Sequence, residues 1–150
     1  MDTVASRKLT GEGAMKVLNA AVERAHTLNC HVSIAVVDDG GHLIAFTRSE
    51  KAELYSIAIA QAKAKSAALT RFPSGKKSPT GNERDDHHAL AITLAAGPGS
   101  FVTIPGGFPI FADSEIVGAV AVSGAGIKDV EIAQAAAAAL DKNSSNAAAK

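Results

Sequence analysis

The chain of 150 residues has no tryptophan, one tyrosine and one cysteine, and aromatic residues make up only 4% of it. A lone cysteine, Cys30, cannot close an internal disulfide, which fits a reducing compartment. An excess of either charge is missing too: 15 basic residues balance 15 acidic ones, for a formal net charge of +0. That argues against nucleic acid as the partner, because phosphate binding rests on a surplus of Lys and Arg. No apolar run approaches the roughly 18 residues that a membrane helix needs. The opening MDTVASRKLT has no apolar stretch of signal-peptide length. The expectation is a cytoplasmic protein with no membrane partner. Neither a Walker loop, a G-x-G-x-x-G fingerprint, a G-x-S-x-G elbow nor zinc-type Cys/His spacing occurs.

What the chain has is apolar residues, 47% of the total. A core of that size needs neither metal nor disulfide. Low charge and abundant alanine together suggest buried contacts between copies, hence a homo-oligomer. The length is that of one ordinary domain, 1–150, with a core over about 10–142.

Periodicity divides the chain. Residues 9–28 form a helix, with Thr10 as N-cap and Val17, Leu18, Ala21, Val22, Ala25 and Leu28 at helical spacing. HVSIAVV (31–37) and LIAFT (43–47) read as strands joined by Asp38-Asp39-Gly40-Gly41, a hairpin turn. Residues 54–70 return to helical spacing and stop at Phe72-Pro73, since proline disfavours helix in the residue before it. A polar stretch with two prolines and two glycines follows over 73–86, a pattern often functional or mobile. A short helix then covers 87–96. Strands are expected at 101–104, 108–112 and 116–123, and a helix over 127–142, with Asp129 and Glu131 where the helix dipole favours acids. The tail, 143–150, is expected to be flexible. The fold class is α+β: a single central antiparallel sheet of about five strands, with helices packed mainly on one face.

Particular runs resemble a known family. Pro105-Gly106-Gly107-Phe108-Pro109-Ile110, followed by IVGAVAVSG from Ile116 to Gly124, is similar to the GGxPI…GxxxVSG signature of the GlcG/HbpS-like, haem-degrading domain family. Asp129-Val130-Glu131-Ile132-Ala133 resembles that family's D-x-E-x-A stretch, and Ala35-Val36-Val37-Asp38 with Gly41-His42-Leu43 its first hairpin. Arg48 and the segment Ala62-Lys63-Ala64 stand where the family has an arginine and an A-x-x-K-A run. The resemblance covers roughly residues 10–142. It implies an α+β fold, oligomers and, in some members, haem as the ligand. The His87-His88 pair and the long polar loop before it depart from the signature.

The candidate site residues each carry two readings. Gly106, Gly107 and Pro109 can present backbone N–H groups to an anion, or simply make a tight hairpin that lets a helix approach. His87 and His88 project about 100° apart on a helix and cannot readily share a metal. Either could serve as a haem axial ligand, a lone metal ligand or a general base, with Asp85 or Asp86 orienting it; the plain alternative is a solvated helix start. No metal site is assigned otherwise. Arg48 and Lys63 would grip a carboxylate if both faced one pocket, and a desolvated Lys63 could do acid–base or Schiff-base chemistry. Tyr55 is either a pocket phenol or a packing aromatic. Two functions result. The first is binding, or degradation, of haem or another small anionic or planar ligand, held between helix 54–70, the 73–88 loop and the Gly106 turn. The second is a cofactor-independent isomerase, tautomerase or lyase acting on a small carboxylate. A third possibility is an assembly module without chemistry.

Overall fold

The computed structural model describes residues 1–140. Helix α1 (Gly11–Thr27) starts where the Thr10 side chain accepts from the Gly13 N–H at 3.0 Å, the expected cap. Strands β1 (Ser33–Asp38) and β2 (Leu43–Arg48) pair antiparallel. Their turn is tied by Asp38, whose Oδ1 accepts from Gly40 N and His42 N, both at 2.9 Å. Gly41 supplies the positive φ, 84°, that this turn requires. Helix α2 (Ser56–Thr70) ends on Arg71 in the left-handed region, one residue before Phe72-Pro73. Helix α3 (Asp86–Ala96) is capped by Asp85, which accepts from His88 N at 2.8 Å. Strands β3 (Gly107–Ala112) and β4 (Glu115–Ser123) and helix α4 (Lys128–Ala137) complete the described chain. Helix α4, expected to run to 142, stops at Ala137, with Ala138 as its C-cap; residues 141–142 and the tail 143–150 lie outside the described residues.

The sheet runs β2-β1-β4-β3, antiparallel throughout. Alternation along the strands separates two cores. Ile34, Val36, Val120 and Val122 meet α1 and α4 on one face. Ala35, Val37, Ala119 and Ala121 meet Ala60, Ala64, Ala67 and Ala68 of α2 on the other. The α+β class and the antiparallel sheet agree with the sequence, and two differences stand out. Helices expected mainly on one face are divided, because alanine on both strand and helix leaves room for α2 to lie directly on the second face. The sheet has four strands rather than about five, because 101–104 is not a strand. Its backbone is satisfied by side chains: Ser66 Oγ accepts from Val102 N at 3.3 Å, and Ser74 Oγ donates to Ile104 O at 2.8 Å.

Among the described residues no helix is long and apolar enough to cross a membrane. Strands β1 and β4 approach so closely at Gly118 that a Cβ there would lie 2.3 Å from Val37 O. Gly118→Ala should therefore lower unfolding stability by about 1–3 kcal/mol, the usual range for overpacking. Urea denaturation measures it, and an unchanged midpoint would contradict this packing.

Candidate functional site

The Gly106-Gly107 turn, α2 and the start of α4 meet at one end of the sheet. Lys63 is buried there at 1% exposure, although it is a lysine in mid-helix. Its Nζ donates to Asp129 Oδ2 and to Val122 O, each at 2.9 Å. The second carboxylate oxygen of Asp129 accepts from Ala125 N at 2.8 Å. The ammonium thus joins α2 to the end of β4 and the first turn of α4. Both charges are paired and hydrogen-bonded, the condition under which buried ions are tolerated.

The glycines fit around this pair. A Cβ on Gly106 would sit 3.0 Å from Lys63 Nζ and 2.9 Å from Val122 O; one on Gly107 would sit 2.5 Å from the Lys63 carbonyl oxygen. Ser74, the first buried residue of the polar loop, docks on the same turn. It donates its N–H to Gly107 O at 2.9 Å and accepts the Gly107 N–H on Oγ at 2.8 Å. The Gly107 amide is therefore committed within the protein, and close approach explains the glycine there. Pro109, buried on the edge strand β3, has no N–H to offer a neighbouring strand.

The structure brings Lys63, Gly106 and Gly107 together, with Pro109 two residues along the same strand, and keeps Arg48, Tyr55, His87 and His88 apart from them. Arg48 ends β2 at the opposite edge of the sheet and is exposed. Lys63 and Arg48 do not converge on a pocket, because the Lys63 ammonium is enclosed by Asp129 and Val122. Tyr55 is 62% exposed at the start of α2. The neighbouring Glu53 carboxylate, as hydrogen-bond partner and as charge, pushes its phenol above the ordinary value, so it stays protonated at neutral pH. His87 and His88 are exposed in the first turn of α3. No group of three or more His, Cys, Asp or Glu among the described residues could hold a metal ion. Before α3, the polar loop folds as a small hairpin: Lys77 bridges Glu83, Arg84 donates to Lys77 O at 2.8 Å, and its guanidinium lies 5.3 Å from the Phe101 ring centroid. Lys76 and Lys77 project from this hairpin into solvent.

The residues that sequence reading missed are Asp129 and Ser74. Asp129 reads as an acid favoured by the dipole of α4, and no local pattern signals a lysine partner 66 positions away. The one available signal is the D-x-E-x-A stretch itself.

A four-stranded antiparallel sheet between α2 and the α1/α4 pair, locked by a buried Lys–Asp bridge under a glycine turn, defines a class of small α+β domain. Within that class the chain belongs to the HbpS-like family, whose model, described as "Haem degrading protein HbpS-like", matches residues 9–138. Among curated proteins it is similar to Protein GlcG of Escherichia coli K12, 38% identical over 121 residues, covering 77% of this chain and 81% of that one. Among solved structures it resembles a double mutant of Streptomyces reticuli HbpS, with a TM-score of 0.75, 33% identity, and 93% and 92% of the two chains covered. It also resembles a PduOC:heme complex, with a TM-score of 0.70, 26% identity, and 90% and 96% covered.

Replacing Lys63 by Met leaves Asp129 as an unpaired buried charge. The variant should lose about 3–5 kcal/mol of stability. Adding Asp129→Leu should restore a substantial part of that loss. Urea unfolding of the two variants checks this. A Lys63→Met protein as stable as the parent would show that the pair is not what holds this junction.

Proposed function

We propose that this chain binds haem, as a single-domain, cytoplasmic homo-oligomer, and that α3 carries the iron ligand. The observation that carries the reading is the first turn of α3, where two exposed imidazoles stand beside a cationic hairpin on a helix of otherwise apolar composition. The family and its likeness to the PduOC:heme complex support haem over other planar anions.

The residues present fit the group. Imidazole is a common iron ligand, and His87 or His88 would supply it. Lys76 and Lys77 precede α3 on the hairpin and would pair with the propionates as exposed charges. Exposed Ala91 and Ala95 continue from His88 along one side of α3 and offer a flat apolar surface for the porphyrin edge. Bound haem supplies a redox-active, Lewis-acidic iron. The protein's own part is to place the imidazole, which Asp85 does by fixing the backbone of His88, and to hold the propionates. Degradation of haem is a further step that none of these residues performs by itself. The alternative, acid–base catalysis on a small carboxylate by His87 or His88, would have to hold the acid with Arg48 alone, because Lys63 is enclosed by Asp129.

Haemin titrated into the purified protein should give a distinct Soret shift. His87→Ala/His88→Ala should abolish that shift or weaken binding at least about tenfold, equivalent to ~1.4 kcal/mol. Lys76→Ala/Lys77→Ala should weaken it only severalfold, since exposed ion pairs contribute about 0.2–1 kcal/mol each. A Soret band unchanged in the histidine double variant would contradict the ligation.

A further inference from the structure

We propose that α3 of one copy docks on an open ledge between β2 and α2 of a second copy. α3 has 11 residues and none of them is buried. Leu90 is 57% exposed and Leu94 is 74% exposed. Isolated helices shorter than about 12–15 residues are marginal in water, so a helix of this kind needs a surface to pack on.

The ledge is the matching deficit. Helix α2 packs across β1, β4 and β3 and stops short of β2, while α1 covers the other face of β2. Leu43, Phe46 and Arg48 lie opposite Val37, Ala35 and Ser33 in the strand register. Residues directly paired across strands share a face, so these three point to the α2 side. Leu43 is 50% exposed, and Leu69 of α2, 47% exposed, borders the same end of the sheet next to the β1–β2 turn.

One copy cannot satisfy itself in this arrangement. The segment containing α3 is anchored at one end on β3, through Ser74 to Gly107, and at the other on α2, through Val102 to Ser66. The ledge lies at β2, the opposite edge of the sheet. A second copy supplies what the first lacks, and reciprocal docking of the two closes a symmetric dimer.

Charge and length fix the direction. Asp86, Leu90 and Leu94 recur every four residues and fall within about 80° of one another on the helix. Asp86 would meet Arg48 and Leu94 would meet Leu43, with Leu90 on Phe46. Among the described residues neither Asp86 nor Arg48 has an ion pair of its own. The helix stripe spans ~12 Å at about 1.5 Å per residue, against ~16 Å for the strand at about 3.3 Å per residue. A net charge of +0 places no long-range repulsion between copies. His88 lies about 160° around the helix from Leu90 and stays clear of the docked face, whereas His87, about 60° from Leu90, borders it. The inference rests on the assembly part of the reading above and not on its ligand.

Sedimentation velocity and a cysteine cross-link test it together. The parent protein should sediment as a dimer or a multiple of one. Leu90→Asp/Leu94→Asp and, separately, Leu43→Asp should each raise the dissociation constant at least tenfold, with far-UV circular dichroism showing the remaining fold intact. Under mild oxidation, a mixture of Leu94→Cys with Leu43→Cys protein should form disulfide-linked pairs that the parent, with its half-buried Cys30, does not. A monomeric parent overturns both assembly and docking. An assembled parent whose Leu90→Asp/Leu94→Asp form sediments identically, or a mixture that yields no cross-link, overturns the docking alone. Haem titration of the same samples reports on the ligand proposal independently.

Discussion

The ion pair between Lys63 and Asp129 is the constraint around which this fold is arranged. It lies at 1% exposure on the lysine side, and each charge has a second hydrogen-bond partner on the backbone. Through it, a helix on one face of the sheet is bound to the strand end and helix start that lead to the other face. The turn that covers the pair must be made of glycine, because side chains at Gly106 and Gly107 would collide with the ammonium and the Lys63 carbonyl. Ser74 then anchors on that turn and starts the polar loop in a defined place. A single buried cation thus dictates backbone type, loop origin and helix position.

That arrangement also directs where binding chemistry can occur. An ammonium already held by a carboxylate and a carbonyl is a poor group for gripping a ligand, and the Gly107 N–H is committed to Ser74. The proposed ligand chemistry therefore lies outward, on the hairpin 76–84 and α3. These parts are loosely packed: no residue of α3 is fully buried, and the hairpin exposes its lysines. Elements of this kind belong to the low-stability end of a fold, from which binding segments are usually drawn. The rigid junction holds the scaffold, and the exposed helix is the element on which the proposals of haem binding and of docking to another copy both rest.

Much of the scaffold was legible in the residues. The Thr10 cap, the Asp38 to Gly41 turn, the stop at Phe72-Pro73 and the D-x-E-x-A helix start are local signals, and local hydrogen bonds enforce each of them. The two differences came from side chains acting at a distance. Residues 101–104 have strand-like composition, yet Ser66 and Ser74 supply the partners that a neighbouring strand would have given. Lys63 reads as a pocket or surface group because lysine is rarely buried, and nothing near it in sequence announces Asp129. Arg48 and Lys63 would grip a carboxylate only if both faced one hollow, and the sheet places them near opposite edges. Periodicity reports which face a residue occupies, not which distant residue waits there.

Lysine labelling under native conditions tests the central claim most directly. Brief treatment with an amine-reactive acylating reagent, followed by peptide mass spectrometry, reads each lysine separately. Lys76 and Lys77 should react rapidly, while Lys63 should stay unmodified until urea unfolds the chain. Labelling of Lys63 at the rate of the surface lysines would mean that its ammonium is open to solvent and that the junction described here does not exist.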